Sequence, residues 1–238
     1  MKFETSLFKV SAGERKTLVT YLVDNSYPGD YFFVMLIASV VIATGGLILN
    51  NIAVVIGSAL VAPFLAPFLS LSMGVVIADM ILIRKSAYVI LKAILVTIIA
   101  SAGLSFFITV PSGYNLEILS RTAASLPYLY IALAAGVAAS FSIAHPKLSA
   151  FLVGVAVSVS LLPPLAVTGI GISTLNLSMA VGSLELFFVN LLGIVIAGIV
   201  VFSLIGFYPV RAKVNKVIKD EEKKVKAGKP TGGATPTS

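Results

Sequence analysis

Four prolines, Pro63 with Pro67 and Pro163 with Pro164, stand deep inside apolar runs long enough to cross a bilayer. A proline within a helix offers no N–H to the carbonyl four residues earlier, so the acceptors of Ala59, Pro63, Val159 and Ser160 are set free. Free backbone at that depth survives only inside protein or beside water. The chain ahead of each break then presents carbonyls, which suit a small cation. Half-helices restarting near Phe68 and Leu165 aim positive N-terminal ends at the same place, which suits an anion.

Hydroxyls and small residues gather around both breaks. The candidate solute- or ion-binding set is Gly57, Ser58, Ala59, Pro63, Pro67 and Ser70 in the first stretch. In the second it is Gly154, Ser158, Val159, Ser160, Pro163, Pro164 and Thr168. With Ser72, Gly74, Gly169 and Gly171 nearby, these could line a narrow polar path. The plainer reading is that serine and glycine let helices pack closely while proline bends them.

Other polar residues carry less. Lys92 and Glu185 are ionisable groups inside or at the edge of apolar runs, but Lys92 is near enough to a span end to snorkel and Glu185 can be interfacial. Asn190 lies close to Glu185, and Asp79 stands beside Arg84 and Lys85, which suggests a local ion pair. His145 is the single histidine, with no second metal ligand near it. No phosphate loop, zinc spacing, catalytic carboxylate pair or nucleophile elbow is visible, so neither an enzyme nor a cofactor is expected.

The elements that must position these residues are membrane spans. Of 238 residues, 58% are hydrophobic and 11% charged, and the mean hydropathy is +1.04; lipid is the solvent that tolerates such a surface. Six apolar runs, at 31–49, 52–78, 86–110, 127–144, 148–172 and 184–207, compare with about 20 residues needed per span. The second run would be about 40 Å long as one straight helix, against a hydrocarbon core of about 30 Å, so it must tilt or break. Six spans put both termini on one side. Fifteen of seventeen basic residues then fall on that side, which predicts cytoplasmic N- and C-termini. Seven of eight tyrosines lie near span ends, where amphipathic rings prefer to sit. No cleavable signal peptide is expected, and the absence of cysteine excludes disulfides.

The chain also aligns with itself. A shift of 97 residues, without a gap, pairs Tyr31 with Tyr128, Gly57 with Gly154, Pro67 with Pro164, Gly74 with Gly171 and Ser86 with Ser183, and sets Asp79 against Asn176. Eleven identities fall between positions 31 and 93, where chance would give about six. Units of three spans, 31–110 and 127–207, would have opposite orientations. Inverted three-plus-three repeats with interrupted helices are a recurring transporter construction. The predicted fold is therefore an all-α polytopic membrane protein, six transmembrane spans in a 3+3 inverted repeat with proline-broken helices 2 and 5.

The ends read as peripheral. Ser11 to Glu14 form a capping box before Leu18, Val19, Leu22 and Val23, an amphipathic helix expected at the membrane surface within a cytoplasmic segment 1–30. Residues 208–238 form a basic tail, more suited to anionic lipid than to nucleic acid. In the fourth run Ala132, Gly136 and Ser140 recur every four residues, a face for close helix contact within or between protomers.

Four stretches carry a resemblance. These are Asn51 to Pro67, Glu117 to Thr122, Ser160 to Gly171 and Phe188 to Gly193. Together they resemble the prokaryotic "uncharacterised hydrophobic domain" family, domain of unknown function 389. The resemblance implies an integral membrane protein and brings no substrate or functional residues with it. The expected function is a transporter or facilitator for a small solute or ion, working as a homo-oligomer; the rival is a non-transporting scaffold or partner subunit.

Overall fold

The computed structural model describes residues 18–23, 29–108, 115–145 and 150–206, with backbone alone for residues 150–155 and 159. A helical segment at 18–23 (α1) precedes α2 (Asp30–Ile48), α3 (Ile52–Val61), α4 (Leu65–Val76), α5 (Met80–Phe107), the single turn α6 (Leu116–Leu119), α7 (Leu126–Ala144), α8 (Ala150–Ser173) and α9 (Leu177–Ile205). There is no strand among the described residues. Among the described residues, five helices are long and apolar enough to cross a membrane, and α3 with α4, bent by 59°, make a sixth if they form one span. The architecture is all-helical, with the apolar helices of a multi-pass membrane protein. The capping box at 11–14, the connection around Lys147 and the basic tail lie outside the described residues.

Two helices start earlier than hydropathy suggests. α5 begins at Met80 rather than 86, so Arg84 and Lys85 sit in its first two turns, and α9 begins at Leu177 rather than 184. Caps set these starts, not apolarity. Asp79 Oδ1 accepts from the amides of Ile81 and Leu82, both at 2.9 Å, and Asn176 Oδ1 accepts from Met179 at 3.0 Å, each meeting donors that a helix start leaves unpaired. Asp79 is thus a cap, a role that its basic neighbours obscured.

One helical corner recurs three times. At each, the carbonyl of a glycine accepts from the amide five residues on: Gly46 from Asn51 at 2.8 Å, Gly74 from Asp79 at 2.9 Å, Gly171 from Asn176 at 2.8 Å. The residue before that amide is left-handed: Asn50 at φ 52°, Ala78 at 51°, Leu175 at 55°. This is the double hydrogen bond of a Schellman stop, and the residue that closes it also N-caps the next helix. Glycine is required because the next helix runs against it. A Cβ on Gly46, Gly74 or Gly171 would lie 2.9, 3.1 or 2.7 Å from the amide nitrogen of Val55, Ile83 or Ala180. The last two corners are 97 residues apart at every one of these positions.

α8 is the enclosed helix. Leu161, Leu162, Leu165, Ala166, Val167 and Ile170 are all at 0% exposure, with α2, α3, α5, α7 and α9 packed around them. In α9, by contrast, Val181, Phe188, Leu192, Ile196, Val200 and Leu204 form an exposed apolar stripe on the outer face. Two of the tight helix crossings mirror each other. Gly169 of α8 meets Ser101 of α5, where a Cβ would lie 2.8 Å from the serine Cβ, and Gly198 of α9 meets Ser72 of α4, where the distance is also 2.8 Å. A shift of 97 residues turns either pair into the other with partners exchanged.

The two proline stretches differ. The α3 helix ends at Val61, Ala62 and Pro63 are non-helical, and the chain turns into α4 at Leu65. Pro63 makes the turn, whereas Pro67 is the third residue of α4, in the first turn, where a missing N–H costs little. The break expected at Pro163-Pro164 does not occur: α8 runs through both prolines from Ala150 to Ser173. The reason is a substitute donor. Asn190 Nδ2 of α9 donates to the Ser160 carbonyl at 2.7 Å, the very acceptor that Pro164 leaves empty, and enclosed membrane helices tolerate proline when a neighbour supplies that partner.

α1 also departs from expectation. Leu18, Val19, Leu22 and Val23 are 0–4% exposed and belong to the main core. The apolar stripe read from the sequence is real, but it faces protein instead of lipid.

Candidate functional site

The Ser158 hydroxyl donates to the Ala62 carbonyl at 3.2 Å. That bond brings the α3–α4 turn against α8, one turn before Pro163. The two proline stretches, 100 residues apart in sequence, are therefore neighbours in space. On another side of α8 the Ser160 carbonyl is held by Asn190, and one turn further Thr168 Oγ1 returns to the Pro164 carbonyl at 2.9 Å.

The remaining expected residues divide. Ser58 is fully buried with its hydroxyl donating to Val55 at 2.6 Å, and Ser160 donates its own to Val157 at 2.7 Å, so both satisfy helix carbonyls locally. Ala59 is 2% exposed, in the last turn of α3 before the chain leaves the helix at Ala62. Gly57 has nothing within 4 Å of a Cβ position among the described residues. Ser70 is turned away from the break, donating to the Leu22 carbonyl of α1 at 2.7 Å. Gly154 and Val159 are placed by backbone only, on α8 before the prolines.

Three polar residues outside the expected set do more. Asn190, 2% exposed, supports the diproline stretch, and its Oδ1 has no hydrogen-bond partner among the described residues. Ser101 donates to the Ala166 carbonyl at 2.6 Å and accepts from Thr44 Oγ1 at 3.2 Å, a buried chain joining α2, α5 and α8. The signal for Asn190 was in the sequence: an amide in the middle of an apolar span is costly unless it is used. Nothing marks Thr44 or Ser101, since hydroxyls are common in membrane helices.

The two suspected charges lie on the surface. Lys92 and Glu185 are both exposed. The Lys92 ammonium sits over the ring of Tyr88, 4.7 Å from its centroid, with Phe33 at 5.9 Å, a cation–π pair on the outer face of α5. Gly136 of the small-residue face packs inside the protomer, on Ile194 and Ala197 of α9. No group of three or more His, Cys, Asp or Glu that could hold a metal is present among the described residues.

No solved structure is significantly similar to the chain. An uncharacterised protein of Methanocaldococcus jannaschii is 34% identical over 177 residues, which cover 74% of this chain and 55% of that protein. The chain thus spans about half the length of the curated relative it matches. The profile of the family described as domain of unknown function (DUF389) matches residues 59–196, a stretch holding the α3–α4 turn, the diproline helix and Asn190. By that match, the chain belongs to the DUF389 family.

Proposed function

We propose that the protein moves a small solute or ion across the membrane, as a transporter or channel-like facilitator working as a homo-oligomer, with its site where the α3–α4 turn meets the 158–164 stretch of α8. The observation that carries this reading is the 3.2 Å bond from Ser158 to the Ala62 carbonyl: it sets the broken helix pair, α3–α4, against the diproline helix, backbone disrupted at membrane depth is tolerated against protein or water, and broken helices form the sites of many transporters.

The proposed frame is an inverted repeat of three spans, 31–110 and 127–207, about a pseudo-two-fold axis in the membrane plane. The exchange of Ser72–Gly198 for Gly169–Ser101 at a 97-residue shift supports it, as does the corner shared by Ala78–Asp79 and Leu175–Asn176. The Ala62–Ser158 contact maps almost onto itself under the same exchange, so the axis would pass close to it. Both termini are proposed to be cytoplasmic, from the basic residues. Reconstitution in liposomes, with flux of ions and small solutes followed against protein-free vesicles, tests the reading: it expects a protein-dependent flux.

A second reading has its own support. The stretch Leu161–Ile170 of α8 is buried throughout, as in a packed scaffold or partner subunit. No flux for any solute, with a stable assembly formed on another membrane protein, would favour it.

A further inference from the structure

Asn190 uses only half of its amide. The Nδ2 donates to the Ser160 carbonyl, while Oδ1, in a residue 2% exposed, is left without a partner among the described residues. Chemistry fixes which atom is which: a carbonyl can only accept, so the NH₂ end must face it. Oδ1 stands about 2.2 Å from Nδ2 within the amide, and therefore within about 5 Å of the Ser160 oxygen.

That limit leaves room for one bound ion. A cation of middling size holds its oxygens at about 2.3–2.6 Å, so two of its ligands stand at most about 5 Å apart. Further oxygens are close by. Pro163 strips the Val159 carbonyl of its backbone donor as Pro164 strips that of Ser160, and both lie on the same turn of α8. The oxygens of this group are neutral acceptors, and its one unused donor is the second N–H of Asn190 Nδ2. A single N–H is too little for an anion, and a divalent ion would lack the carboxylates it needs; a monovalent cation suits neutral oxygens that replace its hydration shell.

We infer that Asn190 Oδ1, with the carbonyls of Val159 and Ser160, binds a monovalent cation in the diproline turn of α8. As a transported or coupling ion it rests on the transport reading above; its binding stands apart from that reading.

The test uses the full chain in detergent, with choline chloride exchanged stepwise for NaCl, KCl, LiCl or NH₄Cl at constant chloride. Thermal unfolding is followed by circular dichroism. At least one of these cations raises the midpoint by several degrees in a saturable manner, MgCl₂ and CaCl₂ do not, Asn190→Ala abolishes the rise and Ser140→Ala keeps it. Equal midpoints in every chloride, or an unchanged rise in Asn190→Ala, overturn the inference. Should Asn190→Ala fail to fold, calorimetric titration of the unaltered protein decides: saturable heat supports the site and its absence overturns it. Cation binding without liposome flux would sink the transport reading alone, whereas flux indifferent to every cation, with no shift in midpoint, would sink the cation site alone.

Discussion

Replacing Asn190 by leucine, which keeps the branched outline of the side chain, removes the side-chain donor that reaches the Ser160 carbonyl. Hydrogen bonds between membrane helices average about 0.6 kcal/mol and reach about 1.7, because a severed group usually finds another partner. The Ser160 carbonyl cannot find its usual one, since residue 164 has no N–H. A buried acceptor left unmet costs about 1–3 kcal/mol, so Asn190→Leu is expected near the top of the membrane range, a loss of about 1.5–2 kcal/mol. Pro164→Ala restores the missing N–H to a helix that already runs straight through. In that background Asn190→Leu is expected to cost less than about 0.5 kcal/mol, a coupling of about 1 kcal/mol or more between residues that share one acceptor. Reversible unfolding by dodecyl sulfate in mixed micelles, in choline chloride, measures all four proteins. Equal losses in the two backgrounds would refute the idea that Asn190 stands in for the backbone donor.

The crossings should answer to size. Gly169→Ala would drive a methyl to within 2.6 Å of the Ile98 carbonyl, and Gly198→Ala one to within 2.6 Å of Ser72 Oγ; each is expected to cost about 1–3 kcal/mol in the same assay. Gly57→Ala, with open space around it, is expected to be neutral or to stabilise by up to about 1 kcal/mol. At the corners, Leu175→Gly relieves a left-handed φ of 55° in a side chain 92% exposed and is expected to stabilise by about 1 kcal/mol. Asp79→Ala, by removing a carboxylate that caps two amides, is expected to cost about 0.5–2 kcal/mol. Reporter fusions at Ser238 and within 112–120 are expected to report opposite sides of the membrane.

The helices were legible because hydrophobic runs are a bulk property, and α3–α4 was legible because Pro63 acts on its own chain. The 97-residue pairing of Gly74 with Gly171 and of Asp79 with Asn176 marked a shared corner before its geometry was visible. The continuity of α8 was not legible. It depends on Asn190, which is distant in sequence, and local proline rules cannot see a donor that another helix delivers. Ser70 and α1 misled for a related reason: an amphipathic stripe shows which face is buried but not what buries it, and here Leu22 meets α4.

Transport through this fold would depend on the meeting of Ala62 and Ser158. The chain has no cysteine, so Ala62→Cys with Ser158→Cys gives a single reporter pair on otherwise native protein. Reconstituted and treated with a short bifunctional methanethiosulfonate, which bridges neighbouring thiols without the strict geometry of a disulfide, the pair is expected to cross-link and to abolish the flux of the untreated protein, with reductant restoring it. Failure to cross-link, or flux unchanged in fully cross-linked protein, would contradict the account.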